Sequence, residues 1–112
     1  MGTINQDFTM FAGDTVSLDF TVDMDRTLEG ATITWVLVRR QAIMLTKSAG
    51  DGIRITGAKT FSVDLLPEDT EDLEGNHYHE AEVTDSFGTS STVASGMVRI
   101  DKTYIKQSAA DS

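Results

Sequence analysis

Val16-Ser17-Leu18-Asp19-Phe20-Thr21-Val22-Asp23 decides the fold. Val16, Leu18, Phe20 and Val22 share one parity, and Ser17, Asp19, Thr21 and Asp23 share the other. Side chains of a strand alternate between faces, so this run has one buried and one solvated side. Upstream, Phe8-Thr9-Met10-Phe11 is a short β-prone run closed by the turn Ala12-Gly13-Asp14. Downstream, Asp25-Arg26-Thr27-Leu28-Glu29-Gly30 is a polar connection.

The same grammar continues to the end of the chain. Ala31 to Arg39 places Ile33, Trp35 and Leu37 on one face and Thr34, Val36 and Val38 on the other, as a central strand with partial cover on both sides would. Ala42-Ile43-Met44-Leu45-Thr46 predicts a weaker, shorter strand, and Gly50-Asp51-Gly52 a turn. Ile53 to Thr56 alternates, as do Phe61, Val63 and Leu65. The only proline, Pro67, is followed by acids, which suits the first turn of a short helix. His77 to Asp85 is a strand, and Asp85-Ser86-Phe87-Gly88 a hairpin loop with Gly88 at a positive-φ position. The last strand runs from Thr89 to Asp101, with a bulge or bend expected at Ser95-Gly96. Turn signals recur about every 8 to 12 residues, the spacing of an all-β sandwich. Nothing between the strands is long enough for the crossovers of a parallel sheet.

Composition narrows the function. The chain has 112 residues, enough for one domain with a real core. It has no cysteine, which excludes disulfides and thiolate metal sites and leaves the redox compartment open. Its net charge is −9, from 18 acids against 9 bases, which argues against nucleic acid and anionic membrane surfaces as partners. The first seven residues have no basic region before an apolar run, so no signal peptide is expected, and Gln6 stands where a myristoylation site needs Ser or Thr. No apolar stretch approaches the roughly 20 residues that span a bilayer.

Few residues suggest chemistry. His77, His79 and Glu80 are weak candidates for a metal or acid–base cluster, since two histidines two apart share a strand face. Glu68, Asp69, Glu71, Asp72 and Glu74 form an acidic run without the register of a calcium loop, and read as a helix start on a solvated surface. Asp19, Asp23, Asp25 and Glu29 read as the polar face of a strand and its loop. Gly50-Asp51-Gly52 lacks the Lys-Ser/Thr and helix of a phosphate loop. No nucleophile stands beside a base in a recognisable motif. Trp35 and Tyr78 could form a carbohydrate-stacking platform. With one Trp, two Tyr and five Phe in the chain, however, aromatics are needed for the core. Met10, Met24, Met44 and Met97 are scattered, as gap-fillers or an adaptable contact surface. The expected core contains Trp35, Tyr78, Phe20, Leu18, Phe61 and Val63.

Two features resemble immunoglobulin-like domains. Trp35 lies in the third strand, and Leu73-Glu74-Gly75-Asn76-His77-Tyr78 has the form of a tyrosine corner. The expected fold is an all-β, immunoglobulin-like antiparallel sandwich of seven to eight strands over residues 1–102, with one short helical turn near 67–73. Residues 103–112 are a polar C-terminal tail. Four runs resemble a narrower group. They are Phe11 to Phe20; Leu28-Glu29-Gly30-Ala31-Thr32-Ile33-Thr34-Trp35; Leu66-Pro67-Glu68-Asp69-Thr70 with Gly75 to Asp85; and Thr92 to Ile100. Together they resemble small immunoglobulin-like virion proteins of tailed bacteriophages and prophages, and are similar to the amino-terminal domain of siphophage upper baseplate proteins. The resemblance covers roughly residues 8 to 101. It implies a virion structural protein made in the host cytoplasm: a capsid decoration, neck, tail or baseplate component. Its partners would be other virion proteins and further copies of itself, engaged by free strand edges or the tail. It implies no catalytic residue and no cofactor. The upper baseplate proteins continue into receptor-binding segments that this sequence lacks, so the expectation is a docking module or stand-alone decoration protein. The alternatives are a bacterial extracellular adhesion or carbohydrate-binding module, and a metal-dependent enzyme built on His77, His79 and Glu80.

Overall fold

The computed structural model describes residues 4–23 and 27–104, so the tail from 105 onward, with Met24 and Asp25, lies outside the described residues. The alternating runs become β1 (Ile4–Asn5), β2 (Phe8–Phe11), β3 (Val16–Thr21), β4 (Thr32–Arg39), β5 (Ala42–Ala49), β6 (Gly52–Gly57) and β7 (Thr60–Leu65). A single helical turn, α1 (Pro67–Thr70), leads to β8 (Gly75–Thr84) and β9 (Ser90–Asp101).

These strands fold into two facing layers. The front layer runs β5–β4–β8–β9, with β1 and β2 on the outer side of β9; the back layer is β6–β7–β3. A two-residue parallel bridge, Ser48↔Gly52 and Ala49↔Ile53, joins the layers at one edge. The apolar parity of β3, β4 and β7 turns inward. Trp35, Ile33, Leu37, Phe61, Val63 and Leu65 are fully buried, and Leu18 and Phe20 nearly so. Phe20 and Phe61 occupy paired positions of β3 and β7 and stack at 5.0 Å. This is the immunoglobulin-like sandwich.

The structure departs from expectation at four places. The sheet is mixed rather than purely antiparallel: β1 and β2 run parallel to β9, in one continuous register from Ile4↔Ala94 to Phe11↔Asp101. They are one edge strand interrupted at Gln6 and Asp7. β5 is longer than its apolar run suggests, because Met44 is an extra residue between the pairs Leu37↔Leu45 and Val38↔Ile43 and breaks the alternation. The bulge in β9 falls at Val93, opposite the Ala81/Glu82 step, not at Ser95-Gly96. There two consecutive residues, Val93 and Ala94, are both buried.

The fourth is Tyr78, which does not join the core. It is 37% exposed, and its hydroxyl donates to Glu80 at 3.2 Å rather than to upstream backbone, so no tyrosine corner forms. On β8 the inward parity belongs to His77, His79, Ala81 and Val83. Glu80 and Glu82 share the parity of Tyr78, and two carboxylates hold that face in water.

Gly96 has a different task from the one expected. It pairs with His79 on one side and faces the Gln6 carbonyl on the other, where a Cβ would overlap Gln6 backbone. Gly96→Ala should therefore push the N-terminal strand off β9 and destabilise the domain by about 2 kcal/mol. Denaturant unfolding checks the size, and faster amide exchange at residues 8–11 checks the place.

Candidate functional site

Strand geometry separates the first sequence candidates. His77 and His79 share a face, as their spacing requires, but it is the inner face, while Glu80 points out. The His77, His79 and Glu80 set is thus no cluster. Trp35 Nε1–H donates to His79 Nδ1 at 3.1 Å, and His79 Nε2 meets the Gln6 carbonyl at 2.5 Å. The ring therefore accepts on Nδ1 and donates from Nε2, which leaves no lone pair for a metal. Phe8 meets it edge-on at 5.3 Å, and Phe20 and Trp35 flank it. Burial pushes the His79 imidazole below its ordinary range, against the opposing pull of the Gln6 carbonyl and the Asp7 charge. His77 is also buried. Its Nδ1 reaches the Gly75 carbonyl at 3.1 Å, and its Nε2 has no hydrogen-bond partner among the described residues.

The remaining candidates disperse. Trp35 is fully buried and Tyr78 lies on the opposite side of the front sheet, so they form no joint platform. In the acidic run, Asp69 accepts from the Leu66 amide at 2.7 Å and pairs with Lys47 at 2.8 Å, clamping α1 to β5. Among the described residues no group of three His, Asp or Glu side chains could hold a metal, and no helix is long and apolar enough to cross a membrane.

The two outer surfaces differ in kind. On the back layer, Arg54 grips Asp64 with two bonds, at 2.6 and 2.9 Å, while Ser17 donates to Asp64 and Ser62 donates to Asp19. The guanidinium holds the Asp64 carboxyl below the usual carboxylate range. That surface is self-satisfied and polar.

The front layer instead exposes an apolar row across four strands. Met97 pairs with Tyr78, Tyr78 with Val38, and Val38 with Ile43. All four point outward; Met97 is 53% exposed and Ile43 65%. Met44, thrown out by the bulge, lies beside the row and is exposed. The row ends at the β4–β5 hairpin tip, where Arg40 and Gln41 both hold positive φ, 52° and 66°. Two-residue turns of this kind favour Asn-Gly, so the tip holds a strained pair beside the exposed row. Sequence reading missed the row because no single run contains it. Only pairing register brings Met97, Tyr78, Val38 and Ile43 together, and the only local signal was the outward parity of Glu80 and Glu82.

The open edge of β3 is guarded. The Val22 amide donates to Lys59, so alternation sends the backbone of Ser17, Asp19 and Thr21 toward the open side of β3. There the Gln6 side chain donates to the Asp19 carbonyl at 3.3 Å, and the Asp19 side chain itself is exposed. A charge on an edge strand opposes pairing with another chain.

No family model matches the chain, and no curated protein matches it. Solved structures do. A candidate glycoside hydrolase from Bacteroides vulgatus ATCC 8482 superposes with a TM-score of 0.54 at 12% identity over 88% of this chain. An endo-fucoidan hydrolase of glycoside hydrolase family 107 superposes with a TM-score of 0.53 at 14% identity over 90%. The chain spans only 17% and 13% of those two chains, so the likeness is to a part of each and concerns the fold alone. Fibronectin(III)-like modules of Clostridium thermocellum align over 91% of this chain and 92% of theirs, with a TM-score of 0.45 at 11% identity.

Because the folded state holds His79 neutral, stability should be full above the unfolded imidazole value of about 6.5 and fall as pH drops below it. Unfolding midpoints at pH 7.5 and 5 check this. His79→Leu orphans the Trp35 N–H and the Gln6 carbonyl and should cost about 2 kcal/mol. His77→Leu, which removes an unpartnered nitrogen, should be neutral or stabilising. Gln41→Gly relieves the hairpin tip and should raise stability by about 1 kcal/mol in the same assay.

Proposed function

We propose that this chain is a docking module that acts through protein–protein contacts, serving as a structural component of a tailed-bacteriophage or prophage virion. The observation that carries the docking role is the exposed Met97–Tyr78–Val38–Ile43 row on the front sheet, with Met44 beside it. Apolar side chains aligned across four strands, with Tyr and Met among them, form the kind of patch that protein partners cover. The virion setting is supported by the resemblance of residues 8 to 101 to small immunoglobulin-like virion proteins. Its partners are virion proteins, further copies of this chain among them, and the module performs no catalysis.

The test is direct. The purified chain is mixed with each virion component encoded beside it, and complexes are measured by light scattering after size exclusion. The chain should form a complex, either with itself or with one of these components. Met97→Asp with Ile43→Asp should weaken that complex about 30- to 1,000-fold, since two anchors of a covered patch carry about 1 to 2 kcal/mol each, while the unfolding midpoint stays put. Undiminished binding by the double variant would refute the face as the docking site. Binding to a glycan array with none to the virion components would move the module to the adhesion or carbohydrate-binding class.

A further inference from the structure

We infer that the partner on the front face is a second copy of this chain, paired face to face about a dyad that runs along the Met97–Tyr78–Val38–Ile43 row. The inference rests on the docking reading above and names its occupant.

Charge on the face selects both partner and axis. On one side of the row lie Arg99, opposite Asn76 on β8, and Arg40 at the hairpin tip. On the other side lie Glu80 and Glu82, one and two rows away along β8. Rotation about the row exchanges the two sides. It lays each apolar residue against its own counterpart, and each Glu80 over the other copy's Asn76 and beside its Arg99. A shallow depression lined by Asp7, Thr9, Asn76, Met97 and Arg99 lies at that point, with the Asp7 carboxylate already accepting from the Met97 amide at 2.8 Å. The Arg99 guanidinium is well exposed and tied only to Asp101, at 2.8 Å, so it can reach a second carboxylate. A dyad along the strands would also stack the row on itself. It would, however, bring Arg99 over the second copy's Arg40 and set the two Glu80 carboxylates one strand apart, so like charges reject it.

Extent fits a weak pair. The row lies near one end of the front sheet, so the dyad overlaps only the residues flanking it, roughly 400 Å² per copy at about 4.8 Å between strands and about 3.3 Å per residue. A pair then buries roughly 800 Å² in total, the size of a transient association. The polar back face offers no comparable patch, and a self-complementary face is what a twofold pair requires.

The chain has no cysteine, so a single introduced thiol reports the axis. Tyr78→Cys and Ile43→Cys should each form a disulfide-linked dimer under mild oxidation, because the dyad sets each position against itself. Thr34→Cys, two rows off the axis on the same face, should not. Wild-type chain should dimerise in sedimentation equilibrium between about 10 μM and 1 mM. Glu80→Arg and Arg99→Glu should each weaken the dimer about tenfold, and together restore it. Melting curves confirm that each variant is folded. A dimer crosslinked through Thr34→Cys but not Tyr78→Cys overturns the axis. A wild-type monomer throughout the range overturns the pairing. If that monomer still captures a virion protein through Met97 and Ile43, the docking reading stands with another occupant; if it captures none, both fall.

Discussion

The sandwich closes on one hydrogen-bonded chain: indole of Trp35, imidazole of His79, carbonyl of Gln6. Each link needs the next. A buried indole N–H requires an acceptor, and a carbonyl turned inward by the break between β1 and β2 requires a donor. Neutral imidazole is the one side chain that accepts on one edge of a ring and donates from the other. Gln6 then carries the closure outward, since its amide bonds Ser95 on β9 and its side chain bonds Asp19 on β3. Antibody domains join the strands corresponding to β3 and β8 by a disulfide packed on a tryptophan. Here Phe20 on β3 lies 6.1 Å from the His79 ring, which is itself 6.0 Å from Trp35. An aromatic–imidazole contact occupies the place of the covalent bridge.

Much of this architecture was legible, and the failures have physical causes. Strands with unmixed parity, such as Val16–Val22 and Phe61–Leu65, read correctly because burial and alternation agree. The strand at His77-Tyr78-His79 did not, because both parities carry large amphipathic rings and local pattern cannot choose between them. The decisive signal lay further along, in Ala81 and Val83 against Glu80 and Glu82. β5 and β9 were blurred by bulges, where one extra residue inverts every parity beyond it. The parallel docking of β1 and β2 leaves no local trace at all, since nothing in Phe8–Phe11 says which neighbour it will meet. The apolar row is illegible for the same reason: it is a property of register across four strands.

The two faces differ in what they leave unsatisfied. On the back layer, Arg54, Asp64, Ser17, Ser62 and Asp19 satisfy one another, so that surface has little to offer a partner. The front layer spends its outward positions differently, with carboxylates on β8 limiting how far the apolar stripe extends. The guarded edge of β3 makes strand addition there a poor route to assembly. In the proposed docking role, association is directed to a face, where register and charge define an orientation.

The parallel docking of the N-terminal strand also fixes how the domain bears load. Ile4 lies beside Ala94 and Phe11 beside Asp101, so tension entering at Ile4 and leaving at Asp101 pulls the two strands lengthwise past each other. The backbone bonds between them, and the Gln6 node in their middle, are strained together rather than opened one by one from an end. Failure then demands that the whole seam give way at once, which makes the domain stiff along its length and leaves it easy to peel only from the side.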